Sequence, residues 1–214
     1  MQGDRIIVEA SQLRLAEQLV ARMWPSIQAT AGRYAVTVAG ESGSGKSTIA
    51  VATAQTLEQR GKRCVILQQD DYYVHPAKTN DATRRKDPNW YGPREVRLDF
   101  LDQQVRQILD GAAEIVKPLS IYAEDRFDEE RIATADVDVV VVEGTYVTLL
   151  NNAQAKIFID RNYMDTRAFR EKRARDAAEL DAFTENIIQK EHEIVVTHKA
   201  LATLVIGKNW EILS

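Results

Sequence analysis

One eight-residue segment constrains the fold of this chain more than any other. Residues 40–47 read Gly-Glu-Ser-Gly-Ser-Gly-Lys-Ser and match GxxxxGK[ST] at every fixed position. A β-rich apolar run at 34–39 precedes the segment, and a helical pattern over about 47–60 follows it. Consecutive backbone N–H groups in such a loop surround phosphate oxygens beside a helix N-terminus. The predicted nucleotide-binding residues are Gly40, Glu41, Ser42, Gly43, Ser44, Gly45, Lys46, Ser47 and Thr48.

Two side chains of this loop have predicted roles in phosphate chemistry. Lys46 is expected to reach the β- and γ-phosphates, and the Ser47 hydroxyl is expected to ligate Mg²⁺. The alternative is a glycine- and serine-rich turn without a ligand. Sequence and context together favour a nucleoside-triphosphate site over that turn.

Strands alternate with helices along the rest of the chain, which indicates an α/β fold with a mainly parallel sheet. Further strands are predicted at residues 62–69, 137–142, 156–160 and 204–206, with a short one at 5–10. Helices are predicted at residues 11–30, interrupted at Pro25, at 98–109, and from about 165 onward. The polar residues 70–97 contain three prolines and predict mainly a loop.

Composition excludes several classes of protein. A chain of 214 residues suits one domain, with or without a small lid. The net charge of −4 gives no basic surface for nucleic acid, and no apolar run approaches the roughly 18 residues of a membrane span. The first residues lack a secretory h-region, and Cys64 has no cysteine to pair with. We expect a cytoplasmic protein with a small-molecule partner, neither nucleic acid nor membrane, and a homo-oligomer remains open.

Acidic residues follow two predicted strands, at the edge of the sheet where ligands bind in open α/β folds. Asp70 and Asp71 follow the second strand, where a carboxylate could take a proton from an acceptor hydroxyl and help to hold the metal. Glu143 ends the most apolar strand, as an acid that reaches Mg²⁺ does. The alternatives are a solvated Asp-Asp turn and a buried strand that merely ends in an exposed glutamate.

Other nucleotide-binding classes lack their sequence features here. None of the ten glycines has an aspartate three positions before it, and no asparagine precedes a lysine, which argues against a GTPase. No Gly-Gly pair supplies a transporter-ATPase signature. A kinase is therefore the leading interpretation. An NTPase switch or assembly factor without an acceptor is the alternative of another class.

With these residues in place, the chain resembles the uridine kinase family, within the group that also contains phosphoribulokinases. Segments in corresponding order cover most of residues 34–206. They are residues 40–48, 69–73, 90–93, 118–122, 142–144 and 165–167. The resemblance implies a P-loop NTPase fold over 34–214, with an arginine-bearing helical lid at about 165–190. Residues 1–33 have no counterpart in that resemblance, and we expect an extension with a helix that packs on the core or on another subunit.

The resemblance also implies roles for individual residues, with ATP and Mg²⁺ as cofactors. Asp70 is the implied catalytic base, acting with Lys46 and Arg167, and Ser47, Asp70 and Glu143 are implied around the metal. The residues implied at the acceptor are Asp71, Tyr73, Tyr122 and Arg170, and further basic residues of the lid helix are Lys172, Arg173 and Arg175. Such arginines would neutralise the charge of the transferring phosphoryl group.

The acceptor is the least constrained part of this interpretation. Uridine or cytidine is the first expectation, but Tyr91-Gly92-Pro93 stands where uridine kinases usually carry Asp-His-Pro. That aspartate is expected to hold the ribose hydroxyls, and Asp87 is the nearest substitute. The basic run at 84–86 is interpreted first as an exposed basic loop, and the alternative is a site for an anionic acceptor such as a sugar phosphate. His75, His192 and His198 lack the neighbours of a zinc site.

Overall fold

The computed structural model describes residues 6–173 and 181–213, without the side chains of Phe169, Lys172 and Arg173. Arg175 and the middle of the predicted lid therefore lie outside the described residues. The helices are α1 (Ala10–Ala29), α2 (Lys46–Gln59), α3 (Ala77–Lys86), α4 (Leu98–Leu109), α5 (Tyr163–Arg173) and α6 (Ala182–His198). The strands are β1 (Tyr34–Gly40), β2 (Cys64–Gln68), β3 (Glu114–Ile121), β4 (Arg126–Ala133), β5 (Val139–Gly144), β6 (Ala155–Ile159) and β7 (Leu204–Ile206).

The central sheet has five parallel strands in the order β2-β5-β1-β6-β7. Strands β1 and β5 are buried at every position, because apolar clusters cover both faces of the sheet. One cluster joins the sheet to α1 and α2, and the other joins it to α4. The predicted α/β class with a mainly parallel sheet is confirmed. No helix in the described ranges is both long and apolar enough to cross a bilayer.

The N-terminal region differs from its prediction in two ways. Residues 6–9 form no strand, and α1 starts at Ala10 behind a capping box in which Glu9 N–H donates to Gln12 Oε1 at 2.9 Å. The helix continues through Pro25 to Ala29. Proline removes one helical hydrogen bond, but Ile27 beyond it is buried in the same core as Leu19, which favours continuing the helix.

Three further elements, α3, β3 and β4, were not predicted. Residues 77–86, expected mainly as loop, form α3, whose first-turn N–H groups of Lys78 and Thr79 are capped by the Asp125 carboxylate. Because that cap comes from 46 or 47 positions away, the local sequence did not reveal it. Asp125 lies in the turn of an antiparallel hairpin made by β3 and β4. The β4 strand is mostly exposed and polar, so it lacks the apolar signal of a core strand.

Candidate active site

The phosphate-binding loop connects β1 to α2 and is held open by glycines. Gly43 and Gly45 have φ angles of 75° and 98°, a left-handed conformation that glycine adopts without steric cost. Gly45 is the N-cap of α2, so the free N–H groups of the first helical turn border the loop. Lys46 Nζ donates to the Glu41 carbonyl oxygen at 3.0 Å and so folds back over the loop. This geometry is suited to an anion.

Two acids meet the end of this loop at the carboxyl edge of the sheet. Gln68 pairs with Glu143 in the sheet, so Asp70 follows β2 beside the end of β5. The Ser47 hydroxyl donates to Glu143 Oε1 at 3.1 Å. Burial, and then the charge of Asp70, raises the pKa of Glu143 to about 7, while Lys46 opposes the shift. Asp70 and Glu143 therefore lie close enough to repel one another.

A close contact between Gly144 and Gln69 positions the turn that carries Asp70. The side chain of Gln69 is fully buried, and its Oε1 accepts a hydrogen bond from Tyr146 N–H at 2.7 Å. A Cβ atom at Gly144 would overlap the Gln69 side chain. Glycine at the end of β5 thus lets the turn that carries Asp70 approach the strand.

The residues at this edge fit a magnesium ion. Mg²⁺ is usually held by one or two carboxylates, with waters and substrate phosphates as the other ligands. Ser47, Glu143 and Asp70 supply oxygen atoms only, and a divalent cation would relieve the repulsion that raises the pKa of Glu143. Among the described residues, no group of three or more His, Cys, Asp or Glu side chains forms an all-protein metal cage.

Asp71 is placed differently from its prediction as an acceptor residue. Its side chain is buried, and Asp71 Oδ2 accepts from Lys117 Nζ at 2.6 Å. Asp71 Oδ1 accepts from Ser120 N–H at 3.0 Å. Both partners lie on β3, so the carboxylate joins the hairpin to the turn after β2. Each carboxylate oxygen already accepts a hydrogen bond from β3, which weighs against Asp71 as a contact of the acceptor.

The two tyrosines predicted at the acceptor lie on separate segments, Tyr73 in the segment after β2 and Tyr122 directly after β3. Tyr73 pairs with Val96 in an isolated bridge. Burial, and then the charge of Asp70, raises the pKa of Tyr73 well above its usual value, which puts its hydroxyl in the electrostatic reach of the predicted base. Tyr122 is partly exposed at the end of β3, where Lys78 Nζ lies 5.4 Å from its ring centroid.

The two arginines predicted from α5 have different surroundings. Arg167 is 66% exposed and pairs with Glu171 one turn further along the helix. Arg170 is 5% exposed, and its Nη1 donates to Glu185 Oε1 at 2.7 Å. A Cβ atom at Gly43 would lie 2.8 Å from Arg170 Cγ, so this arginine packs directly on the phosphate-binding loop. Burial beside the loop favours Arg170 over Arg167 for contact with a bound phosphate.

Two of the three residues in the basic run of α3, Arg84 and Arg85, pair with carboxylates. Arg84 donates through Nε and Nη2 to buried Glu95, and its Nη2 also donates to Glu191 Oε1 at 3.0 Å. Arg85 pairs with Asp181 at 2.7 Å, just before α6. These contacts dock α3 on α6. They weigh against an anionic acceptor at this cluster.

Comparisons with known proteins place this fold and loop in a family. A model of the Phosphoribulokinase / Uridine kinase family matches residues 35–196. The chain belongs to this family. It is 30% identical over 157 residues to a uridine kinase from Lactobacillus johnsonii, covering 72% of each chain. It is 24% identical over 189 residues to a bifunctional alpha-galactosidase/sucrose kinase from Mediterraneibacter gnavus, covering 83% of this chain and 20% of that protein.

Solved structures agree with that membership at the level of the fold. A possible uridine kinase from Bacillus stearothermophilus superposes with a TM-score of 0.62 at 21% identity, covering 91% of this chain and 98% of that one. Family membership and fold together make the chain a P-loop kinase.

Sequence reasoning missed one contact that links the loop of this kinase to α6. His192 Nδ1 lies 2.6 Å from Glu41 Oε1, and the His192 ring packs on Tyr163 at 5.4 Å between centroids. Burial raises the pKa of Glu41, while the hydrogen bond and charge of His192 oppose that rise. The two residues are 151 positions apart, so the sequence carries no sign of this contact beyond the presence of an acid, Glu41, at the second position of the loop.

An aromatic residue beside the loop, Trp210, was also not expected from the sequence. A Cβ atom at Gly45 would lie 2.7 Å from the Trp210 ring, and the Arg161 guanidinium stacks on that ring at 4.9 Å. Trp210 lies beyond β7 and carries no motif, so its place beside the loop follows only from the order of strands β6 and β7.

Proposed function

We propose that this kinase transfers the γ-phosphoryl group of MgATP to a hydroxyl of a small acceptor. The observation that supports it most is the cluster of Asp70, Glu143 and Ser47 beside Lys46, at the edge where β1, β2 and β5 end. A hydroxyl-directed kinase requires a carboxylate that can take the acceptor's proton in addition to the acid that helps to hold Mg²⁺, whereas a nucleotide switch requires only the second of these. Family membership also weighs against a switch without an acceptor.

Each residue of this cluster has a distinct task in the proposed reaction. Asp70 accepts the proton of the acceptor hydroxyl as the hydroxyl oxygen bonds to the γ-phosphorus, and the bond from that phosphorus to the β–γ bridging oxygen breaks. Lys46 neutralises charge on the β- and γ-phosphate oxygens. Mg²⁺, held by Ser47 and Glu143 with Asp70 nearby, supplies further charge neutralisation when bound.

The elements around the cluster have proposed roles in closing the site. Helices α5 and α6 are proposed to act as the lid, with Arg170 contacting phosphate from its place against Gly43. The nucleotide base is proposed to lie near Trp210 and Arg161, whose flat groups border the loop at Gly45. These roles leave Arg167 on the exposed side of the lid helix.

The proposed acceptor is a neutral ribosyl hydroxyl compound, with uridine or cytidine first. Tyr73 lies in the segment after β2 and Tyr122 directly follows β3, and a tyrosine ring and hydroxyl can contact a base. The relative from Lactobacillus johnsonii is named a uridine kinase. A neutral sugar is the second candidate, because another relative is named in part a sucrose kinase. Arg84 and Arg85 are both paired with carboxylates, which weighs against a sugar phosphate.

The acceptor is tested by measuring ADP release from MgATP with each candidate. We expect slow release from ATP alone and a large acceleration by uridine or cytidine, with new phosphorylated nucleoside detected by mass spectrometry. Acceleration by a neutral sugar but by neither nucleoside would transfer the assignment to the second candidate. Acceleration by a sugar phosphate alone would contradict both.

The role of Asp70 is tested by Asp70→Asn, which removes the base and one metal-directed charge with little change in shape. We expect acceptor-dependent turnover to fall by about two orders of magnitude or more, with nucleotide affinity within a few-fold. Asp136→Asn is the matched control, because Asp136 is 80% exposed, pairs with exposed Arg63 and lies before β5, at the opposite edge of the sheet. Equal losses in the two variants would show that Asp70 is not the base.

A further inference from the structure

A cavity lies between α4 and the β3–β4 hairpin, away from the phosphate-binding loop. Its volume is about 440 Å³, within the range of small-molecule sites. Its walls are formed by residues before and within α4 and by both strands of the hairpin. None of its lining residues belongs to the loop at 40–47, and neither Asp70 nor Glu143 contributes. The proposed kinase reaction gives this cavity no role.

The wall of this cavity carries Arg97, whose guanidinium has no hydrogen-bond acceptor among the described residues. Among the described residues, Arg97 forms no ion pair, its side chain donates no hydrogen bond, and its Nε is buried without a partner. Its guanidinium lies 5.8 Å from the centroid of Phe100 and 5.6 Å from that of Phe127. Two aromatic rings hold the charged group in place but supply no hydrogen-bond acceptor. A half-buried guanidinium that lacks acceptors on the protein is suited to receive one from a ligand.

The other charges of the cavity limit what that ligand can be. Lys117 lines the cavity, but Asp71 and Glu130 already neutralise it, so Arg97 is the available cation there. Asp128 and Glu129 also line the cavity and would repel a ligand with several negative charges, such as a diphosphate. Pro118 and the two phenylalanine rings add apolar surface.

We propose that this cavity binds a small monocarboxylate with a flat apolar body, its carboxylate on Arg97 and its body against Phe100 and Phe127. The planar guanidinium fork matches a carboxylate in two parallel hydrogen bonds, which a point charge does not. Bound there, the ligand contacts the wall that carries Lys117, whose pairing with Asp71 supports the turn next to Asp70. The cavity is thus a second ligand site of the enzyme, separate from the nucleotide and acceptor.

The test uses 4-fluorobenzoate as the probe and the whole chain, with binding followed by ¹⁹F NMR. We expect saturable binding below about 10 mM, as is usual for a fragment of this size. Arg97→Met keeps the apolar stem and removes the fork, and we expect it to weaken binding about tenfold or more. Arg97→Lys should recover only part of that loss. Uncharged 4-fluorobenzamide should bind at least about tenfold more weakly than the acid.

Two controls make the result specific to the cavity. Arg106→Met removes an exposed arginine of α4, which pairs with Asp110, and should leave binding unchanged. A saturating, non-hydrolysable MgATP analogue should also leave the probe bound, because the cavity shares no residue with the loop. Absence of saturable binding, equal binding by Arg97→Met and the unaltered chain, or displacement by the nucleotide analogue would overturn the proposal. Each result is independent of whether the acceptor assignment is right.

Discussion

The buried pair between Lys117 and Asp71 offers the sharpest test of how the hairpin supports the site. The two side chains are 3% and 2% exposed, and Lys117 Nζ lies 2.6 Å from Asp71 Oδ2. Lys117→Met removes the cation and leaves the Asp71 carboxylate buried. Loss of one partner from a buried ion pair costs about 3–5 kcal/mol. We expect the lower end, because Ser120 N–H still donates to Asp71 Oδ1 at 3.0 Å.

The assays are urea unfolding, which gives the free energy, and thermal unfolding, which gives Tm, of the unaltered chain and the variant. A loss of about 3 kcal/mol corresponds to roughly 6–12 °C in Tm for a chain of this length. The double variant Asp71→Asn/Lys117→Met should be less destabilised than Lys117→Met alone, because it leaves no uncompensated charge.

The control comes from the second carboxylate on the same lysine. Glu130 lies 2.9 Å from Lys117 Nζ but is 43% exposed, so Glu130→Gln should cost no more than about 1 kcal/mol. A loss below about 1 kcal/mol for Lys117→Met, or a loss as large for Glu130→Gln, would refute the assignment of Asp71 as a structural partner. Asp71 would then again be a candidate contact of the acceptor.

Three further variants test the loop and the acid pair. Lys46→Ala should lower phosphoryl transfer by about two to three orders of magnitude in an ADP-release assay, and near-normal turnover would contradict a phosphate role for this lysine. Glu143→Gln should raise the Mg²⁺ concentration needed for half-maximal rate, because an amide is a poorer ligand for a hard cation; an unchanged Mg²⁺ dependence would remove it from the metal site. Gly144→Ala should cost about 1–3 kcal/mol in thermal unfolding and also lower kcat, because the new methyl group displaces Gln69 and the turn beyond it. Normal stability together with normal kcat would show that the turn is not held by this contact.

Short-range patterns in the sequence were enough for the fold class and for the family. The loop at 40–47 lies between a strand and a helix as its spacing predicts, and the apolar run before Glu143 is the buried strand β5. Parallel strands in an α/β sheet end at one edge, so acids that follow β2 and β5 were expected together before any coordinate was known. Asp70 and Glu143 do interact there.

Only the tertiary structure distinguished side chains that look equivalent in the sequence. Asp70 and Asp71 are adjacent, but Asp71 is paired with Lys117, 46 positions away, while Asp70 remains near Glu143. Arg167 and Arg170 lie on one helix, yet Arg170 alone is buried against Gly43. A side chain's role depends on its neighbours, and those come from strands and helices that the fold brings together from distant parts of the chain. Local periodicity and spacing carry no information about such long-range contacts, so the sequence determined the chemistry available at the edge of the sheet, and packing decided which residues face it.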